Sequence, residues 1–383
     1  MDETLGLYIS IPFCRAKCTY CNFASGVFPG SDHERYVDRV CGELEGARRR
    51  AEQEGWDLPQ EVGSIYLGGG TPSTLQPPHL HHIFTTISRT FTTRNAEVTV
   101  ECAPGQISPE FLQAMVEVSA TRVSLGVQSL MDREAAATGR SHTRRIVEED
   151  VRWLQDSGLA VNVDLIAGLP GQTMASWLES LEAISNLQVG HASLYMLEVD
   201  EDSRLGRELI GKGTRYGAGL VPADDTIAQM YEEGIKGLSA AGLAQYEISN
   251  FARAGHRSRH NLRYWTRKPY LGLGLDAHSM LRTRDGGHAV RFGNADELSV
   301  YMDDSERLMP EILDRETELE EAWFLGLRLN EGVSLSALRE EFGDAVDASR
   351  EVRKQLIQDG LLEQRGDRIR LTDRGRMLSN DVF

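Results

Sequence analysis

The chain has 383 residues, 40% hydrophobic and 26% charged, an ordinary globular composition whose length points to two domains rather than one small core. Its net charge of −17 argues against non-specific nucleic-acid binding, which needs clustered positive charge, and no run of eighteen apolar residues offers a membrane span. The 5 cysteines are too few and odd in number for a disulfide framework, and the opening Met-Asp-Glu-Thr lacks the basic and apolar stretches of a secretion signal, so the cytoplasm is the expected compartment.

The first predicted strand, Leu7–Ile11, runs straight into Cys14-Arg15-Ala16-Lys17-Cys18-Thr19-Tyr20-Cys21. Three thiols within eight residues form a soft-metal site, and cysteine thiolates are the usual ligands of iron–sulfur clusters. If a four-iron cluster sits on three cysteines, one iron stays open to a small molecule. Structural zinc is the alternative. It wants four closed ligands, and the nearest histidine, His33, lies twelve residues past Cys21. Cys41 falls in a helical pattern and is expected to be a buried small hydrophobe.

Short apolar or alternating runs then recur at Ser64–Leu67, Glu97–Glu101, Arg122–Val127, Val161–Ile166, Ser193–Glu198 and Ala244–Ile248. Helical patterns separate them at about 33–54, 77–90, 108–118, 131–156, 174–186 and 223–241. This alternation predicts an α/β fold with parallel strands and crossover helices, and six or seven units suit an open, partial (β/α)6-type barrel. Sites in such folds form at the carboxyl ends of strands. That rim collects the cysteines, Gly68-Gly69-Gly70-Thr71-Pro72-Ser73, Glu101, Gln128-Ser129, Arg140, and Asp164 ahead of Gly168-Leu169-Pro170-Gly171. The glycine run alone could be a tight turn, and each polar residue alone a surface group; their shared placement makes them a pocket.

Further on stands His260-Asn261-Leu262-Arg263-Tyr264-Trp265. An imidazole can ligate iron, and Tyr264 and Trp265 offer flat apolar faces to a macrocycle. A packed aromatic loop around a hydrogen-bonded histidine explains the same residues, and by the residues alone it is the better account. From residue 311 the pattern changes to helices at Glu318–Leu329, Leu335–Phe342 and Val346–Gln358, a strand pair around Arg365-Gly366-Asp367, and a last apolar stretch, Leu371–Leu378. This is a winged-helix-like α+β domain over 311–383, behind a barrel over 1–300. Winged helices often bind DNA, but residues 311–383 hold 17 acidic and 11 basic residues, a net charge of −6. A role in capping the barrel or meeting a partner is expected instead.

The cysteine spacing after a first strand, Tyr20 before the last cysteine and Gly-Gly-Gly-Thr-Pro after the second strand resemble the radical S-adenosylmethionine (SAM) superfamily. Within it the chain is similar to the oxygen-independent coproporphyrinogen III oxidase branch. The matching segments are Tyr8–Cys14, Gly68–Ser73, Arg122–Ser129, Gly139–His142, Asp164–Thr173 and Tyr246–Ala252. The oxidases resemble C-x3-C-x2-C-x-C with a long N-terminal extension; here the fourth cysteine position is Phe23, and the first predicted strand begins within ten residues of Met1. The H-N-x-x-Y-W string looks like that of the HemW heme chaperones.

The resemblance implies that Cys14, Cys18 and Cys21 hold a [4Fe-4S] cluster. It implies that Tyr8, Tyr20, Gly69, Gly70, Thr71, Glu101, Gln128, Arg140 and Asp164 contact SAM. It also implies that His260, Tyr264 and Trp265 contact heme. It implies heme delivery to recipient hemoproteins and self-association, with no residue assigned to coproporphyrinogen oxidation. One departure is Cys102-Ala103-Pro104, where relatives often read Ala-Asn-Pro after the glutamate.

Overall fold

A computed structural model describes residues 4–303 and 309–383. Six strands run parallel and side by side in chain order: β1 (Leu5–Ile11), β2 (Val62–Gly69), β3 (Glu97–Cys102), β4 (Arg122–Gln128), β5 (Ala160–Ala167) and β6 (His191–Met196). Helices such as Ser31–Glu54, Pro77–Thr90, Pro109–Glu117, Arg144–Asp156 and Met174–Leu187 carry the chain back between strands. Several start where the sequence offers a capping oxygen. Ser108, Thr143 and Thr173 each accept the backbone N–H three residues on, satisfying a donor that the first helical turn leaves unpaired.

The strands alternate between two environments. Val123, Leu125 and Val127 of β4, Val161, Val163 and Leu165 of β5, and Ala192 and Leu194 of β6 lie in the main hydrophobic core. Their alternates line a cavity of about 620 Å³ inside the barrel: Arg122, Ser124, Gly126 and Gln128; Asn162, Asp164 and Ile166; His191, Ser193 and Tyr195. Successive side chains on a strand point to opposite faces, so one face meets the covering helices and the other builds a polar chamber. A closed eight-stranded barrel fills its interior with branched apolar side chains; this one does not.

The sheet stays open, as expected, but its edges differ from the sequence reading. In place of a seventh parallel strand at Ala244–Ile248 there is a short hairpin, β7 (Ala244–Gln245) and β8 (Asn250–Ala252). The latter runs antiparallel to β6. On the other flank β9 (Tyr270–Leu273) adds in parallel to β1. β10 (His278–Thr283), β11 (Ala289–Gly293) and β12 (Glu311–Ile312) extend it antiparallel. The expected helix over 131–156 is two, Asp132–Ala137 and Arg144–Asp156. Gly139, at φ +87°, turns the chain between them, and Thr143 starts the second. The break delivers Arg140 to the cavity wall.

The C-terminal piece has its own core, including Leu319, Leu338, Phe342, Val346, Leu362, Ile369 and Leu371. Helices Arg315–Leu327, Leu335–Phe342 and Arg350–Gln358 pack with a three-stranded antiparallel sheet, in which Arg368–Leu371 lies between Val333–Ser334 and Leu362–Arg365. This is the helix-and-wing arrangement expected from the sequence. Among the described residues no helix is long and apolar enough to cross a membrane.

Candidate functional site

The loop after β1 is pinned at its base. Cys14 N donates to Gly26 O at 2.8 Å and Gly26 N to Pro12 O at 2.9 Å. The three thiols Cys14, Cys18 and Cys21 are free and half-buried on the cavity wall. Thr71 Oγ1 donates to Cys14 Sγ at 3.5 Å. Among the described residues no three His, Cys, Asp or Glu side chains converge as a single metal ion requires. A cluster takes each thiolate on a separate iron, and three half-buried thiols from one loop on the cavity wall fit that donor set.

The end of β2 lies flush against this loop, with Gly70 N donating to Ile11 O at 2.9 Å and Thr71 N to Phe13 O at 2.8 Å. No side chain fits there. A Cβ on Gly68 would stand 2.8 Å from the Tyr66 ring and 2.9 Å from Glu101 Oε1. On Gly69, at φ +96°, it would stand 2.8 Å from Ser10 Oγ, and on Gly70, 2.7 Å from Ile11 O. The run is therefore bare backbone packed beside the thiol loop, and Gly69 and Gly70 line the cavity with the thiols.

Four polar groups line the same cavity. Glu101 accepts from the Tyr66 hydroxyl at 2.7 Å, and burial pushes its pKa up to about 7. Asp164 accepts from Ser124 Oγ at 3.2 Å and Asn162 Nδ2 at 2.8 Å, yet burial still raises it. Arg140 donates to the Tyr20 hydroxyl at 3.3 Å, which brings Tyr20 to the same wall. Gln128 sits at φ +69° inside a tight turn, with Ser129 N donating to Val127 O at 2.8 Å. A non-glycine residue in that region is strained, and such strain clusters at sites where a side chain must be aimed. Two carboxylates, one guanidinium and one amide around bare glycines suit a ligand carrying both charges and hydroxyls.

Cys102 lines the cavity but is buried, and burial pushes its thiol pKa up against the opposing hydrogen bond with Ser73. It packs at the end of β3. Tyr8 is not on the cavity wall. Its ring stacks on Tyr66 at 6.2 Å, and its hydroxyl backs Gly69. The sequence reading passed over Tyr66, Arg122, Asn162, His191 and Tyr195, which also line the cavity. Their signal was the period-two polar alternation inside otherwise apolar strands.

The radical SAM superfamily model matches residues 8–184, and the HemN C-terminal domain model matches residues 313–378. Three proteins designated heme chaperone HemW align along most of the chain. That of Lactococcus lactis subsp. lactis is 31% identical over 98% of this chain and 95% of its own. That of Bacillus subtilis is 32% identical over 98% and 97%, and that of Escherichia coli 32% over 74% and 71%. The chain belongs to the HemW heme chaperone family. The solved structure of the Escherichia coli coproporphyrinogen III oxidase HemN, described as a radical SAM enzyme, superposes with a TM-score of 0.84. It covers 100% of this chain and 89% of that one at 21% identity. At that identity the likeness shows the shared radical SAM fold.

The string that resembles the HemW signature lies in helix Arg259–Trp265, packed against the face of β2 that carries Ser64 and the cavity-lining Tyr66. His260 is 1% exposed, and both ring nitrogens are engaged: Nδ1 with Ser64 Oγ and Nε2 with the Tyr264 hydroxyl, each at 2.9 Å. Burial lowers its pKa to about 3, so the ring is neutral. The Tyr264 ring packs edge-on to Tyr270 at 4.6 Å, and Arg328 of the C-terminal piece covers Trp265 at 4.4 Å. Here the string joins β2 to the C-terminal piece; of its six residues, Asn261 lines the cavity.

Proposed function

We propose that this HemW-family chain carries a [4Fe-4S] cluster on Cys14, Cys18 and Cys21, binds SAM beside it, binds heme, and passes the heme to recipient hemoproteins. The observation that carries this reading is the meeting of three cavity-facing thiols with the bare backbone of Gly68–Gly70 across the β1 and β2 ends. When bound, such a cluster supplies one-electron reduction to the sulfonium it holds. The protein's part is to bind and orient. Gly69, Gly70 and Thr71 offer backbone and hydroxyl to an amino acid end. Glu101 supplies negative charge to a cation, Arg140 and Gln128 suit a carboxylate, and Asp164 pairs with ribose hydroxyls.

His260 is the proposed heme ligand, with Tyr264 and Trp265 as ring contacts. Its imidazole is neutral, as a ligand must be. Ligation requires one ring nitrogen to exchange its protein partner for iron, so helix Arg259–Trp265 must loosen first. Action in the cytoplasm and a homodimeric state complete the proposal.

The test is anaerobic reconstitution followed by iron and sulfide analysis and heme titration on one sample. The reading expects about four irons and four sulfides per chain, with a Soret band that weakens in His260→Ala. Conversion of added coproporphyrinogen to protoporphyrinogen would instead make the chain an oxidase.

A further inference from the structure

The floor of the barrel carries two positive charges that the proposed cluster, SAM and heme contacts leave unused. Arg122 opens β4, is 5% exposed and lines the cavity. One Nη donates to the carbonyl of His256 at 2.9 Å. Arg328 follows helix Arg315–Leu327, lies over Trp265 and lines the same cavity. Among the described residues neither guanidinium forms an ion pair, and Arg328 Nε is buried with no hydrogen-bond partner. A buried arginine is ordinarily kept only against a counter-charge, because taking it out of water is costly.

Among the described residues the neighbouring carboxylates form no ion pair with either guanidinium. Of the acidic residues that line the cavity, Glu101, Glu198 and Asp200 stand at the end of β3 or beyond β6, on the rim side. Asp164 attracts Arg122 electrostatically but accepts from Ser124 and Asn162. Glu247, whose charge senses Arg328, takes the N–H groups of Ser249 and Asn250 on Oε1 and keeps Oε2 buried without a hydrogen-bond partner, and burial pushes its pKa up towards the neutral acid. Glu97 caps helix Arg259–Trp265 through the N–H groups of Arg259 and His260. Between the two arginines' elements stand neutral hydrogen-bonding groups. His191 holds Asn162 Oδ1 at 2.6 Å and the Tyr246 hydroxyl at 2.9 Å, and Asn162 in turn holds Ser193 at 3.1 Å. Burial keeps that histidine uncharged.

We propose that Arg122 and Arg328 form a carboxylate-binding floor, one guanidinium from the barrel and one from the C-terminal piece. Guanidinium forks match carboxylates in two-pronged hydrogen bonds. The carboxylates come either from a small dicarboxylic acid or from the propionates of heme. The second source rests on the chaperone reading above.

The test uses three probes on the full chain: glutarate, heme and heme dimethyl ester, whose propionates are capped. Each is titrated into the parent protein, Arg122→Gln and Arg328→Gln, with SAM affinity and circular dichroism as controls of folding. If Arg122→Gln fails to fold, Arg122→Lys keeps the charge and loses the fork. The floor predicts that glutarate binds and weakens about tenfold or more in each variant, or that heme binds about tenfold tighter than its ester and the variants abolish that preference. SAM affinity stays unchanged in either case. Heme and its ester binding alike in all three proteins, with no glutarate binding, overturns the floor and leaves the chaperone reading standing. Arginine-dependent glutarate binding without any heme binding upholds the floor and overturns the chaperone reading.

Discussion

The Tyr66 hydroxyl donates to Glu101 Oε1 at 2.7 Å, tying β2 to β3 directly beside Gly68. The bond favours the ionised carboxylate, but burial opposes it more strongly, and the pKa settles at about 7. A folded pKa above the unfolded one means that the folded state binds the proton more tightly. The group's contribution to stability is therefore fully present in acid and is lost as pH rises towards 7. Glu101→Gln removes that loss. It should raise the melting temperature at pH 8 by a few degrees, on the order of 1 kcal/mol, and have little effect near pH 4. The same variant should weaken SAM binding at pH 8, because a cationic ligand needs the ionised form. Melting curves and calorimetry at the two pH values check both halves.

Each of Cys14→Ala, Cys18→Ala and Cys21→Ala should lose cluster iron after anaerobic reconstitution, since two thiolates cannot hold a four-iron cluster firmly. Cys102→Ala should keep the full iron and sulfide count. Its thiol is a buried packing group beside Ser73, so its loss should cost about 1 kcal/mol in a denaturant melt. Iron loss in Cys102→Ala would make it a ligand.

The parallel half of the fold was legible because β1 to β6 are separated by long amphipathic helices, and each strand end carries its own polar residue. The flank formed by Tyr270–Leu273 and its antiparallel neighbours was not. Its strands are short and separated by turns rather than helices, and β9 finds its partner β1 more than 250 positions away in the sequence. The hairpin at Ala244–Ala252 failed as a parallel strand for a related reason. Glu247 and Ser249 turn the chain through their own hydrogen bond, which a run of apolar letters does not reveal. At the site, the sequence showed the rim but not the floor. Arg122 and His191 begin their strands, so they read as boundary residues rather than as the base of a chamber.

His260 offers a test that separates packing from ligation. Its Nε2 is held by the Tyr264 hydroxyl, and Nδ1 by Ser64. Tyr264→Phe removes one hydroxyl and leaves the ring, at a cost of about 1 kcal/mol. If His260 ligates heme, the freed nitrogen should speed heme uptake in stopped-flow absorbance, whereas His260→Ala should abolish the slow, tight phase. If both variants take up heme like the parent, the iron ligand lies elsewhere and the string is a structural link.

Gly70 tests whether the bare backbone is required for the cysteine loop. A Cβ there would stand 2.7 Å from Ile11 O, 2.8 Å from Pro12 C and 3.0 Å from Phe13 O. All three are backbone atoms leading into Cys14, so no rotamer change can relieve the contact. The strain must push β2 away from β1 and stretch the Gly70 N to Ile11 O bond. Gly70→Ala should therefore cost about 1–3 kcal/mol and lower the iron retained after reconstitution. Gly42, on the exposed side of helix Ser31–Glu54, has nothing within 4 Å of its Cβ position. Gly42→Ala should stabilise by about 0.8–1 kcal/mol through helix propensity and leave the iron count unchanged. If Gly70→Ala held its iron and melted like the parent, the join between the glycine run and the thiol loop would be looser than these contacts require.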